Sequence, residues 1–277
     1  MQDHRDNVKI TKEYYDGIAH EIYKECWGGE NHHLGLFDST DDFFEAGQRS
    51  NENLLSKIET KGDEKILDLG SGFCGLPRIL ARSTGCHITG LNLSTKENEY
   101  AVQKNKEEGL DHLIEVVEGD FNNMPFEDES FDILVSQESM LHSPDKKLLL
   151  KECYRILKKG GQFVFSDILE SPSITSEEAN IVYSRINVPY LATFDFYKEQ
   201  LNQTGFEIKE VQSLGSENLG KSYQAVHDQL KAKKDRLMKE KNIPEENIDQ
   251  TLKALLFWVE KAFENKLEWG LFVTRKK

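Results

Sequence analysis

The stretch VSQESMLHSPD, residues 135–145, sets a carboxylate and an imidazole, Glu138 and His142, four residues apart just past an apolar run. Such a pair suits proton handling: imidazole accepts a proton near neutrality, and an acid can orient it or take the proton onward. The bland alternative is a satisfied turn, with Glu138 capping a helix start and His142 bonded to backbone. Upstream, DLGSGFCG at 68–75 holds Gly70, Gly72 and Gly75 in a G-x-G-x-x-G pattern. Glycines so spaced between strand and helix let backbone approach a nucleotide at the helix N-terminus. Asp68 stands two residues before the first glycine, where a ligand's ammonium could meet it. Further on, GLNLS offers Asn92 where a nicotinamide nucleotide site has an acid for its ribose, and asparagine still hydrogen-bonds a hydroxyl. EGDFNNMPFEDESFD puts Asp120 at a third strand end, in reach of an adenine amino group.

These residues need rigid elements behind them. KILDLG (65–70), CHITGLNL (86–93), LIEVVEG (113–119), FDILVS (131–136) and QFVFSDI (162–168) are predicted strands. Helix-like stretches lie between the first three and again at 146–158. This alternation predicts βαβ units and a mostly parallel sheet covered on both faces. FEIKEV (206–211) and WGLFVT (269–274) supply two more strands. The expected organisation is a single domain over 1–277: a helical cap at 8–60, a cofactor-binding core at 61–168, lid insertions and a sixth strand at 169–265, and a final strand at 266–277. Leu252, Leu255, Leu256, Val259 and Phe263 recur at helical spacing, while KAKKDRLMKEK reads as a solvated helix face.

Composition narrows the options. The 277 residues, 38% hydrophobic and 30% charged, suit a globular protein. A formal net charge of −14 repels phosphate backbones, so nucleic acid is an unexpected partner. No apolar run reaches membrane-spanning length, and the charged opening MQDHRDNVKI has no signal-peptide core. Cys26, Cys74, Cys86 and Cys153 are scattered without a CxxC, as expected of reduced cytoplasmic thiols. The His32–His33 pair has no third ligand at metal spacing, so no metal is expected.

The combination DLGSGxxG…GD…MPFEDESFD resembles the S-adenosylmethionine-dependent methyltransferases over about residues 60–170. That resemblance implies an α/β fold: a seven-stranded, mostly parallel Rossmann-like sheet with an N-terminal helical cap, helical lid insertions and the last strand antiparallel between two others. It also implies that the Gly70 backbone and Gln137 hold the methionine part, Asn92 the ribose, and Asp120 with the Phe121 amide the adenine. Gly72 and Leu93 belong to the same cofactor set, and S-adenosyl-L-homocysteine is the product.

By helical spacing Tyr15, Ala19 and Tyr23 share a face that ends at Trp27. Tyr15 and Trp27 are read as a lid over the site, against the alternative of helix packing. His33 is read as lining the cofactor entrance. Together YYDGIAHEIYKECWGGENHHLGL, SQESMLHSPD, SRINVPYLATFDFY and KLEWG resemble the sarcosine/dimethylglycine N-methyltransferases over nearly the whole chain. In the sister phosphoethanolamine methyltransferases a Tyr and a His form a catalytic latch, and Tyr15 and His142 match them. Arg185 matches one phosphate-binding residue of that group, but Trp258 and Ile168 stand where it has Lys and Tyr. One guanidinium suits a carboxylate, and Trp258 could face a methylated ammonium. The expected enzyme methylates sarcosine and N,N-dimethylglycine to glycine betaine, as a cytoplasmic monomer or dimer with no membrane partner. The alternatives are a phosphobase N-methyltransferase and a small-molecule C- or O-methyltransferase.

Overall fold

Apolar residues alternate along the central strands with period two, and the alternation sorts them into two cores, one on each face of a sheet. Leu67, Leu134, Phe163, Phe165 and Phe272 enter one cluster, while their neighbours Ile66, Ile133, Val135, Val164, Leu271 and Val273 enter the other. A sheet buried on both faces needs helices on both. The structure is a computed structural model and describes residues 12, 16–27 and 33–277. Tyr15 lies outside the described residues.

Among the described residues, helices α1 (Ile18–Cys26) and α2 (Phe43–Leu55) come before the sheet. The core then runs β1 (Lys65–Leu69), α3 (Gly75–Thr84), β2 (His87–Asn92), α4 (Thr95–Glu107), β3 (Ile114–Glu118) and β4 (Phe131–Gln137). A short 3-10 turn, Met140–His142, leads to α5 (Lys146–Ile156) and β5 (Leu157–Glu170). After these come α6 (Ser176–Ile186), α7 (Phe194–Thr204), β6 (Phe206–Ser213), α8 (Ser216–Lys241), α9 (Glu245–Phe263) and β7 (Leu267–Lys276). The spatial order is β3-β2-β1-β4-β5-β7-β6. Strands β1 to β5 pair in parallel, and β7 lies antiparallel between β5 and β6, as the family resemblance implied. Among the described residues no helix is long and apolar enough to cross a membrane.

Side-chain caps mark where helices start. Asp42 accepts from the Glu45 amide at 2.8 Å, Thr193 from that of Phe196 at 3.0 Å, and Thr175 forms a capping box with Glu178. The basic stretch of α8 is more than the solvated face expected of it. Lys233 donates to the Glu25 carbonyl, Arg236 pairs with Glu25 at 2.7 Å and Lys241 with Glu21 at 2.9 Å. These acids lie on α1, so the basic face locates the N-terminal helix.

Phe165 sits at the centre of the aromatic layer under β5. Its ring lies 4.7 Å from Phe163, 4.8 Å from Phe272 and 5.1 Å from Tyr197, between centroids. Phe165→Ala is expected to cost about 3–5 kcal/mol. Urea denaturation should show a lower midpoint with an unchanged slope.

Candidate active site

Strand order reverses between β1 and β4, and open α/β sheets leave a crevice at the carboxyl ends of such strands. A cleft opens there, lined by Gly70, Gly72, Asn92, Phe121, Gln137 and His142 among others, where open α/β sheets bind small molecules. The Gly70 amide donates to the Leu91 carbonyl at 2.8 Å. Gly70 has φ +77°, and a Cβ there would overlap Ser139, so the position requires glycine. Gly72 has φ +49° and a Cβ on it would meet nothing within 4 Å, which leaves its backbone open to a ligand. Ser136 Oγ and Ser139 Oγ donate to the Leu69 carbonyl at 3.1 and 2.5 Å, fastening the end of β4 to that of β1.

Several polar groups around this cleft are buried without protein partners. Both amide atoms of Gln137 are buried and have no hydrogen-bond partner. Burial pushes the Asp68 carboxyl up to about 7. Asn92 Nδ2 donates to Glu97 at 3.0 Å and to Asn98 at 3.2 Å. Glu97 is 2% exposed, burial pushes its carboxyl up to about 7, and its Oε1 has no hydrogen-bond partner. Sequence reasoning did not single out Glu97; Ser94-x-x-Glu97 has only the spacing of a capping box. Ser94 does accept from the Glu97 amide at 3.2 Å, but the Glu97 carboxyl turns to Asn92 instead. Leu93 and Phe121 line the cleft. Asp120 accepts from the Asn122 amide at 2.8 Å and is not among the lining residues.

Glu138 and His142 both line the cleft, but the carboxylate's hydrogen bonds go to other groups. Glu138 Oε1 accepts from Ser166 Oγ at 2.5 Å and Trp269 Nε1 at 2.8 Å, and Oε2 from the Leu34 amide at 3.3 Å. It clamps three elements where sequence reasoning paired it with the imidazole. His142 ends the 3-10 turn and lines the cleft. Burial, then the positive charges of Lys146 and Arg185, hold its pKa down to about 3.

The Arg185 guanidinium carbon lies 4.9 Å from the Tyr223 ring centroid and 4.8 Å from that of Trp258. The two rings meet edge to face at 4.9 Å. Trp258 thus offers its ring to Arg185, and its buried Nε1 has no hydrogen-bond partner. Tyr223 escaped notice because it sits on the helix whose sequence reads as lysine-rich and exposed. Trp27 donates to the His33 carbonyl at 3.2 Å and packs edge-on against Tyr223 at 5.6 Å. His33 is buried with Nδ1 3.0 Å from the Leu34 carbonyl, and burial lowers its pKa to about 4. Neither Trp27 nor His33 is among the cleft-lining residues.

Sheet order, switch-point cleft and glycine turn define an α/β methyltransferase, and residues 67–165 match the methyltransferase domain family. A sarcosine/dimethylglycine N-methyltransferase of Halorhodospira halochloris is 35% identical, over 97% of this chain and 96% of the relative. One from Aphanothece halophytica is 32% identical, over 97% of each. A crystal structure of a Galdieria sulphuraria protein, itself provisionally assigned as a sarcosine dimethylglycine methyltransferase, superposes with a TM-score of 0.85 at 29% identity, covering 93% of this chain and 97% of that one. The chain belongs to the sarcosine/dimethylglycine N-methyltransferase family.

The cleft fits S-adenosylmethionine. Gly72 leaves room at the turn, Gln137 has two unmet amide atoms, and Asp68 is an acid whose burial a ligand ammonium would offset. Free Asp68 titrates near 7, and a bound cation favours its ionised form. Below that pH, binding must expel a proton, so affinity should weaken by up to about tenfold per pH unit. Calorimetric titration from pH 8 down to pH 5 reads this directly, and Asp68→Asn should give weaker binding with a flatter profile.

Proposed function

We propose that this chain is a cytoplasmic, S-adenosylmethionine-dependent N-methyltransferase that converts sarcosine and N,N-dimethylglycine to glycine betaine. Family membership supports the substrate class. The observation that carries the reading is Arg185, one guanidinium braced between two aromatic rings and near enough to His142 to depress its pKa. The four cysteines are buried free thiols, in keeping with a reducing compartment.

When bound, S-adenosylmethionine supplies an electrophilic methyl on a sulfonium. Gln137, the Gly70–Gly72 backbone and Asp68 would hold its methionine part, with Asn92 and Glu97 at the ribose and Phe121 against the adenine. Arg185 would take the substrate carboxylate by a bidentate, charge-assisted contact. That leaves the amine pointing back toward the cleft, where His142 presents a neutral imidazole. An amine attacks only through a free lone pair, so the site must select or create the unprotonated form. Lys146 and Arg185 place positive charge near His142, a field that also disfavours an ammonium there. Tyr15, outside the described residues, is proposed as the gate over this pocket. A dianionic phosphate would want more positive charge than Arg185 alone supplies, and Trp258 fills the neighbouring space with an apolar ring.

A methyl-transfer assay over glycine, sarcosine, dimethylglycine and phosphoethanolamine tests the reading. Turnover confined to phosphoethanolamine would overturn it. Arg185→Ala removes contacts worth about 2–3 kcal/mol, so KM for dimethylglycine should rise roughly 30- to 150-fold. KM for S-adenosylmethionine should stay nearly constant.

A further inference from the structure

Lys146 opens α5 and is fully buried. Burying an ammonium is costly unless its hydrogens find partners, and capping does not explain it. Asp145 already caps α5, accepting from the amides of Lys147 at 3.1 Å and Leu148 at 2.9 Å. Lys146 Nζ instead donates to three carbonyls, those of Leu141 at 3.1 Å, Ser143 at 3.2 Å and Tyr190 at 3.0 Å. It also lies 4.0 Å from the Tyr190 ring centroid, a close cation–π contact.

The placement of these partners is informative. Leu141 and Ser143 flank His142. Tyr190 belongs to the segment between α6, which carries Arg185, and α7. Asp167 on β5 grips the same turn: its Oδ1 accepts from the Leu141 amide at 3.2 Å, and its Oδ2 from Tyr197 Oη at 2.6 Å. Both backbone polar groups of residue 141 are therefore held by charged side chains of opposite sign.

We infer that Lys146 is a positioning residue that, with Asp167, fixes the His142 turn relative to the lid segment bearing Arg185, so that imidazole and guanidinium meet one substrate together. This rests on the reading of His142 and Arg185 as two ends of the amino-acid site. The charged surroundings are consistent with a second effect on the imidazole. His142 is faced by Lys146 and by Arg185 from α6, Lys146 by Asp167 and Glu170 of β5, and Asp167 by Glu138 and by Tyr197 of α7. The ammonium helps to keep His142 neutral.

Lys146→Met keeps the stem and removes the charge and the donors. With dimethylglycine, kcat/KM should fall roughly 10- to 100-fold, as misplaced groups do. Calorimetric affinity for S-adenosylmethionine should stay within about twofold, since the cofactor groups are untouched. The His142 titration midpoint, followed by NMR, should rise. Tyr190→Leu removes the ring over the ammonium and its edge contact with Phe196 but keeps the carbonyl, and should raise the amino-acid KM while leaving the His142 midpoint in place. A wild-type midpoint and turnover in Lys146→Met would overturn the inference. So would activity lost only in step with Tm and cofactor affinity while Tyr190→Leu is silent. The NMR titration needs no amino-acid substrate, so a failure of the substrate reading would show separately, as absent turnover by the wild-type enzyme.

Discussion

One carboxylate holds the working end of the sheet together. Glu138 follows β4 with φ +46°, a left-handed conformation that costs a non-glycine residue about 1–2 kcal/mol. Burial raises the Glu138 pKa, and three accepted hydrogen bonds offset that: from β5 through Ser166, from β7 through Trp269, and from the segment after α1 through Leu34. Its backbone amide adds a bond to the Ser166 carbonyl at 3.0 Å. The strained turn therefore persists because the side chain it directs is the joint between the parallel core, the antiparallel last strand and the N-terminal cap. Gln137 and Ser139, on either side, take their places in the cleft from that joint.

Around this joint the charges are divided. At the glycine-turn end stand Asp68 and Glu97, two buried carboxyls that burial holds near pH 7, ready to be stabilised by a cationic or hydroxyl-bearing ligand. Beyond His142 stand Arg185 and Lys146. A sulfonium donor belongs at the first end and an anion at the second. A small zwitterion aligned with this gradient would turn its carboxylate to Arg185 and its nitrogen toward the donor, which is the order that in-line transfer needs. Reaction moves the positive charge from sulfur to nitrogen without creating a new one, so the site has only to tolerate that charge along a short line.

The parts legible in the sequence are those written in local patterns. Short apolar runs between amphipathic stretches marked the strands of the sheet, and the family resemblance implied the inserted β7. DLGSGFCG marked the turn, where Gly70 and Gly72 take left-handed backbone angles. What stayed hidden depends on distant partners. Glu138 and His142 look like a pair at i, i+4, yet the chain between them is a left-handed residue and a 3-10 turn, so helical spacing does not apply. Glu97 sits in a capping pattern that its amide satisfies and its carboxyl does not. Tyr223 and the ion pairs of α8 depend on α6, α9 and α1 arriving from elsewhere, and no short window contains them. The depressed basicity of His142 is likewise a property of the assembled field, absent from the residue's own type.

That depressed basicity bears on the proton. In the ligand-free protein a pKa of about 3 makes the imidazole a poor base at neutral pH. The two electrostatic causes after burial are cations, and one of them, Arg185, is the group assigned to the substrate carboxylate. A carboxylate bound there would offset the guanidinium's field at His142, while burial, the larger cause, and Lys146 remain. The same carboxylate delivers the amine whose proton has to leave. Some basicity would then return where and when the substrate is correctly seated, and an amine lacking a carboxylate would find a neutral ring with little tendency to take its proton. Arg185 would thus select the substrate by holding its acid group and, in smaller measure, by easing the field on His142.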